Sequence, residues 1–223
     1  MRMLRTQLHP GLLPADPTIR ARWQRGPHLA LGELSGACGV YALWSALITL
    51  GVATVAQVKC IRLFADDAFK ETWVRGLDTF FLGADEDELF ALAKSLGRYV
   101  RPTLRKGSMR ELVGFVIHSL RGGEVVLLGL ESRTGQGGHW TLACGIEEQV
   151  SNAGPKVIGI LCLDSAEPAP QLLRFNTRLE LNVPHFGSTY VRYRKPNGDG
   201  GTMTIDSAIS LGRRRGTSGR PRS

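Results

Sequence analysis

The sequence lacks charge over one long stretch and lacks several patterns that would assign a function directly. From Leu34 to Val58 no residue is charged, although charged residues make up 22% of the 223-residue chain. The four cysteines form no CxxC pair and no zinc-binding spacing with the histidines, so we expect no metal or other cofactor. The N-terminal apolar run is short and broken by Pro10 and Pro14, which argues against a secretory signal. Together these absences predict reduced thiols and a cytoplasmic location.

The positive charge is concentrated at the C-terminus. The formal net charge of +8 falls to +3 once five arginines of the last eleven residues are subtracted, namely Arg213, Arg214, Arg215, Arg220 and Arg222. The segment GRRRGTSGRPRS contains no apolar content that could pack, which predicts a disordered, solvated tail. We therefore divide the chain into an N-terminal extension (1–30), one folded domain (31–211) and a tail (212–223). Nucleic acid is not an expected partner except through contact with this tail.

The uncharged stretch has the pattern of a buried helix and not of a membrane span. Its large apolar residues recur at the i, i+3, i+4, i+7, i+8 spacing of a one-sided helix, namely Val40, Leu43, Trp44, Leu47 and Ile48. Gly51 stands where a C-terminal glycine belongs, and the resulting helix of about a dozen residues is too short to cross a bilayer. The sequence therefore predicts a central buried helix and no membrane span.

Cys38 lies at the start of this helix, between SGA and GVYAL. The unpaired N–H groups and the dipole at a helix N-terminus stabilise an anion, and a thiolate is the reactive form of cysteine. Two interpretations stay open at this point. Cys38 is either an activated nucleophile or a small residue that is buried for packing.

Further helices are predicted before a run of strands. GADEDELFALAKSLG and GSMRELVGFVIHSLRGG have helical periodicity, and Ser108 and Glu111 of the second have the spacing of a capping box. His118 falls off the apolar stripe and is expected at the surface. The segments EVVLLGLES, HWTLACGIEE and KVIGILCLDSA then read as strands, and STYVRYRK with GTMTIDSA as a final hairpin. This segregation predicts an α+β domain with N-terminal helices packed on an antiparallel sheet.

His139 opens the second of these strands, and Asp164 ends the third. Antiparallel strands joined by a hairpin bring the start of one strand beside the end of the next, so both side chains are expected at the same edge of the sheet. A cysteine at a helix N-terminus, a histidine that takes its proton and a carboxylate that holds the imidazole are the components of an acyl-transfer site.

Five motifs in order resemble the papain-like cysteine peptidases of the C39 and C39-like group. They are ACGVYAL, DELFALAKSLG, MRELVGFVIHSLRGGEVVLLGL, GGHWTLACGIEE and VIGILCLDSAEP, which together cover about Leu31 to Pro168. The resemblance implies a papain-like fold and a peptide or protein substrate. It also implies that Cys38 is the nucleophile, His139 the general base and Asp164 the residue that orients the imidazole.

One position departs from the family pattern. A glutamine that contributes to the oxyanion hole is expected about six residues before the cysteine, where this chain has Gly32 followed by Glu33. A charged carboxylate would repel a developing oxyanion. Glu33 therefore serves only if it is protonated; otherwise Gln24 or a backbone N–H takes its place.

Three functions remain compatible with these residues. The first is a cysteine peptidase-like thiol hydrolase or acyl transferase that acts on a peptide or protein through a thioester, and this is our prediction. The second is a catalytically silent papain-like module that binds a peptide in the same cleft, which the missing glutamine favours. The third is a glutamine deamidase or transglutaminase with the same three residues, because all these reactions pass through one acyl-enzyme and differ in what the cleft admits.

Overall fold

A computed structural model describes residues 3–12, 27–30, 35–63, 66–133, 138–170, 174–181, 189–198 and 200–214. Gln24, Gly32 and Glu33 lie outside these ranges, as does the arginine-rich tail from residue 215 onward.

Six α-helices occur in the described residues. They are α1 (Cys38–Thr49), α2 (Val55–Lys59), α3 (Asp67–Leu77), α4 (Thr79–Leu82), α5 (Glu86–Ser95) and α6 (Met109–Arg121). The predicted central helix is confirmed, because α1 begins at Cys38, is buried along most of its length and ends before Gly51, whose φ is 65°. The capping box of Ser108 and Glu111 is also confirmed at the start of α6, and His118 is exposed.

Eight strands form one antiparallel sheet. They are β1 (Met3–Leu8), β2 (Val100–Lys106), β3 (Val125–Ser132), β4 (Gly138–Ser151), β5 (Gly154–Leu163), β6 (Thr177–Glu180), β7 (Val191–Arg194) and β8 (Gly200–Arg213). The three predicted strands are β3, β4 and β5, and the predicted final hairpin is β7 with β8. Strands β1, β2 and β6 were not predicted. Strand β8 continues through Gly212 and Arg213, the first two residues of the segment assigned to the tail.

Six of these strands close into a barrel. The order is β4, β3, β8, β7, β6 and β5, and β5 pairs again with β4. Strand β1 extends the sheet along β4, and β2 extends it along β8. The prediction of a papain-like α+β fold with helices packed on a sheet is therefore wrong, because the fold is a closed antiparallel barrel with extra strands and short helices. The strands β3, β4, β5, β7 and β8 could be read from the sequence, but closure depends on the pairings of the four-residue strand β6, which has no strong pattern of its own.

Alternate residues of β3 face two separate cores. Val126, Leu128 and Leu130 belong to the barrel interior, where side chains from all six barrel strands meet the apolar face of α6. Val125 and Leu127 face outward and pack in a second core beneath α1, α3 and α5. Strand β3 is consequently buried on both faces, which explains its continuous apolar sequence.

Closure of the barrel gives a testable expectation for Leu179 in β6, whose side chain is fully buried in the interior. Leu179→Ala should lower the free energy of unfolding by about 2–5 kcal/mol, because it opens a cavity in a packed core. Leu63→Ala is the matched control, since Leu63 is 55% exposed. Urea denaturation of both variants measures the difference, and equal losses would contradict a closed interior at β6.

Candidate active site

Cys38 is the first residue of α1, and its side chain is buried. The preceding residue, Ala37, ends a 3₁₀ turn (Ser35–Ala37) and provides no side-chain hydrogen bond to the helix N-terminus. The backbone N–H of Trp140 donates to Cys38 Sγ at 3.4 Å, and the backbone N–H of Gly39 is a second donor. The sulfur therefore lies where several N–H dipoles favour a negative charge.

The structure brings Cys38, His139 and Asp164 together. His139 lies near the start of β4, Asp164 follows the end of β5, and the β4–β5 pairing sets these two positions side by side. His139 Nε2 is 2.7 Å from Asp164 Oδ2, and the His139 ring lies close enough to the Cys38 thiol to lower its pKa. Because Nε2 is engaged by the carboxylate, Nδ1 is the ring nitrogen left for the thiol.

The electrostatics of these three groups favour a thiolate and an imidazolium. Burial alone would raise the pKa of Cys38, but its hydrogen bond with His139, the charge of His139 and the two backbone N–H groups lower the pKa overall. Burial works to lower the pKa of His139, but the hydrogen bonds with Asp164 and Cys38 outweigh it and raise the pKa to about 10. Burial also opposes the charge on Asp164, and yet the hydrogen bond from His139 keeps the pKa of this carboxyl below its usual value.

Groups that the sequence did not indicate form hydrogen bonds with the side chain and the backbone of Asp164. The Tyr193 hydroxyl donates to Oδ2 at 2.5 Å, and the Ala166 backbone N–H donates to Oδ1 at 2.9 Å. The Asn176 side chain binds the backbone of Asp164 twice, accepting from its N–H at 2.7 Å and donating to its C=O at 2.7 Å. His28 Nε2 lies 2.9 Å from the same carbonyl oxygen.

Only one of these supporting residues, Tyr193, lies in a segment whose sequence pattern indicates its orientation. The alternation of Val191 and Tyr193 in β7 is consistent with two inward side chains, and both belong to the barrel interior. Which acceptor the hydroxyl of Tyr193 reaches is set by barrel closure. Asn176 lies outside any periodic segment, so no pattern singled it out.

Trp140 connects the thiol to the helices that flank it. Its backbone N–H reaches Cys38, and its indole N–H donates to the carbonyl oxygen of Ala84 at 2.8 Å. Ala84 lies between α4 and α5. One residue therefore fixes the position of the α4–α5 connection relative to the sulfur.

A cleft of about 720 Å³ opens beside these residues. Its floor includes Cys38, His139 and Trp140, and one wall is formed by the end of α4 and the start of α5. The lining also includes Gly129 of β3 and Asp206 of β8. The His139 side chain is partly exposed, so a bound molecule has access to the site.

The other cysteines lack such surroundings. All four thiols are free, but Cys144 and Cys162 are fully buried, and burial raises the pKa of both. Cys60 is exposed and lies at the end of α2. Within the described ranges, no group of three or more His, Cys, Asp or Glu residues is arranged to hold a metal ion. Likewise, none of the helices built from described residues is long and apolar enough to cross a membrane.

Comparison with known proteins assigns no family. No protein-family model matches the chain, and no curated protein matches it. The similarity of its motifs to the C39-like peptidases stays a prediction from the sequence. The oxyanion assignments of Glu33 and Gln24 also stay predictions, because both residues lie outside the described part of the chain.

The contact between Tyr193 and Asp164 predicts a measurable effect on the thiol. Tyr193→Phe removes one of the hydrogen bonds that lower the pKa of Asp164, so the pKa of this carboxyl should rise. As the pH falls, Asp164 is then protonated earlier, and the acidic limb of Cys38 alkylation should move to higher pH. The rate of acylation should drop about 10-fold, as expected for a lost hydrogen bond to a charged group.

Tyr99→Phe is the matched control for this variant, because Tyr99 donates a similar hydrogen bond to Asp66 outside the cleft. It should leave the pH profile of Cys38 unchanged. Profiles that coincide for the two variants would show that Tyr193 supports the fold and not the thiol.

The pH dependence of the thiol itself is a second expectation. Because the pKa of Cys38 is lowered, iodoacetamide should alkylate it at neutral pH at a rate that does not climb through the pKa of free cysteine, about 8.5. His139 should lose its proton only as the pH rises through about 10. Mass spectrometry of Cys38 across the pH range measures the first effect, with free cysteine as the reference. A rate that rises in parallel with free cysteine would contradict it.

Proposed function

We propose that this protein is a cysteine-dependent hydrolase or acyl transferase that acts on an amide of a peptide or protein. The observation that carries the proposal is the position of the His139 ring, which forms a hydrogen bond with the buried carboxylate of Asp164 and interacts with the Cys38 thiol beside it in an open cleft. A nucleophile, its base and the group that orients the base are the required parts of covalent acyl transfer.

The first chemical step forms a thioester. The Cys38 thiolate attacks the carbonyl carbon of the amide, a C–S bond forms, and the π electron pair moves to oxygen. When this oxyanion collapses, the C–N bond breaks, and the imidazolium of His139 gives its proton to the leaving nitrogen. Throughout, Asp164 remains ionised and holds the ring, which keeps the proton-bearing nitrogen directed at the sulfur.

The second step releases the acyl group. Neutral His139 takes a proton from water, the oxygen attacks the thioester carbon, and Cys38 leaves as a thiolate. An amine in place of water gives acyl transfer, and a glutamine side-chain amide in place of a peptide bond gives ammonia as the first product. The backbone N–H of Cys38, at the helix N-terminus, is the available donor for the oxyanion in both steps.

We place this reaction in the cytoplasm, where thiols stay reduced. All four cysteines are free, including the exposed Cys60, and the reaction requires a free Cys38. A peptide or protein is the proposed partner because the cleft of about 720 Å³ is open to solvent and leaves the His139 side chain partly exposed. The proposal requires no cofactor.

An active ester such as p-nitrophenyl acetate tests the chemistry without a known substrate. One equivalent of p-nitrophenolate should be released in a burst, and mass spectrometry should locate an acetyl thioester on Cys38. Cys38→Ala should abolish the burst, and His139→Ala should slow it by about 10²–10⁴-fold, the usual contribution of a general base.

The exposed Cys60 is the internal control, because it is accessible but lies away from the cleft. Acetylation of Cys60 at the rate of Cys38, or a burst that persists in Cys38→Ala, would refute the proposal. A pool of synthetic peptides then separates the reactions, since chain cleavage, ammonia release and amine incorporation give different products. Peptide binding without any adduct on Cys38 would favour the silent module.

A further inference from the structure

Asp206 is the extra residue of a β-bulge at the wall of the cleft. In the pairing of β3 with β8, Gly129 is opposite Ser207 and Leu130 is opposite Ile205, so Asp206 has no partner on β3. Bulges of this kind redirect a side chain and are frequent beside functional sites. Here the redirected side chain is exposed and lines the cleft that contains Cys38.

The absence of a side chain at position 129 gives the carboxylate its space. A Cβ atom at Gly129 would lie 2.5 Å from Asp206 Oδ1 and 2.4 Å from Ser207 Oγ, closer than real Cβ contacts allow. Gly129 is paired across β3 and β4 with Trp140, the residue whose N–H donates to Cys38. Asp206 on β8 is two strand spacings, about 10 Å, from Trp140 on β4, and both residues line the cleft.

Asp206 has no cationic partner in the described part of the chain. No Lys, Arg or His nitrogen there lies within ion-pair distance of its carboxylate, and its hydrogen bond is with the neighbouring Ser207 hydroxyl at 3.2 Å. Among the described residues, the cleft lining includes three further acids, Asp85, Glu86 and Glu88, and no Lys or Arg. Glu86 is paired with Lys106 at 2.7 Å. Acidic groups around a cleft concentrate ligands of positive charge.

The wall formed by α4 and α5 also carries two exposed apolar side chains. Phe81 and Leu82 at the end of α4 are 79% and 94% exposed, and both line the cleft. Their backbone position is tied to the thiol, because Trp140 binds the carbonyl oxygen of the nearby Ala84. Large apolar side chains held at the mouth of a cleft are typical of a surface that contacts a ligand.

We infer that the cleft selects a peptide segment with a lysine or arginine side chain bound by Asp206 and an apolar side chain bound by Phe81 and Leu82. The inference names the substrate class of the proposed acyl-transfer site and rests on that function. The carboxylate supplies a charge-assisted hydrogen bond to the cationic group. Phe81 and Leu82 remove a neighbouring apolar side chain from water and hold the segment beside Cys38.

Three matched peptidyl acyloxymethyl ketones test the inference. They share an apolar residue and differ at the neighbouring position, which is lysine, norleucine or glutamate. The Cys38 thiolate forms a C–S bond to the methylene carbon and displaces the carboxylate, so intact mass reports the rate of labelling. The lysine probe should label the wild type about 10-fold faster than the norleucine probe, as a hydrogen bond between charged groups provides. The glutamate probe should be the slowest.

Asp206→Asn should remove the preference for lysine over norleucine, and Asp206→Lys should reverse it in favour of glutamate. Asp67→Asn is the control, because Asp67 is a surface carboxylate outside the cleft, and it should keep the full preference. Leu82→Ser should slow all three probes by a similar factor. Higher salt should weaken the charge preference and leave the apolar contribution in place.

Iodoacetamide, which is small and uncharged, separates a failure of this inference from a failure of the proposed function. Fast alkylation of Cys38 relative to Cys60, together with equal labelling by the three probes, would overturn the inference and leave the chemistry standing. If Cys38 is alkylated no faster than Cys60, the proposed acyl-transfer function itself is refuted. A lysine preference that survives Asp206→Asn would show that another group binds the cation and would also overturn the assignment of Asp206.

Discussion

The buried carboxylate of Asp164 is the constraint on which the candidate site depends. A charge in a protein interior is costly unless hydrogen bonds and an opposite charge compensate for it. Here the compensation comes from Tyr193, the Ala166 backbone and His139, while Asn176 fixes the backbone on both sides. Because His139 is one of the compensating groups, the energy that keeps Asp164 ionised also fixes the imidazole and keeps it charged. The thiolate of Cys38 completes the pairing at the helix terminus.

The barrel and the helices each position part of the candidate site. His139 lies in β4 and Asp164 directly follows β5, so the β4–β5 pairing, which begins at Leu142 opposite Leu163, brings the two residues to the same edge of the sheet. The helix α1 brings the sulfur from a different part of the chain, packed in the outer core against β3 and β4. Trp140 contacts both partners, since it follows His139 in the strand and donates to the sulfur of α1. The arrangement of Cys38, His139 and Asp164 therefore depends on the sheet and on the helix α1 packed against it. Trp140 connects the two.

The parts of the site that local pattern determines could be predicted, and the parts that depend on closure could not. The spacing of apolar residues in α1 and its terminal glycine placed Cys38 at a helix start, and a hairpin between two strands was enough to associate His139 with Asp164. Tyr193 is 29 residues from Asp164 in sequence and reaches it only because β6 and β7 complete the ring of strands. The same long-range pairings separate the observed barrel from the predicted α+β sheet. Strand alternation shows which residues face inward, but it does not show which strand edges meet.

Closure of the barrel also orders the events during synthesis of the chain. Cys38 and His139 emerge from the ribosome well before Val191, where the strand that carries Tyr193 begins. Until β7 pairs with β6 and β8, the carboxylate of Asp164 lacks one of its donors, and the imidazole lacks a firmly held partner. Until then, Cys38 lacks the complete set of contacts that lowers its pKa in the folded domain.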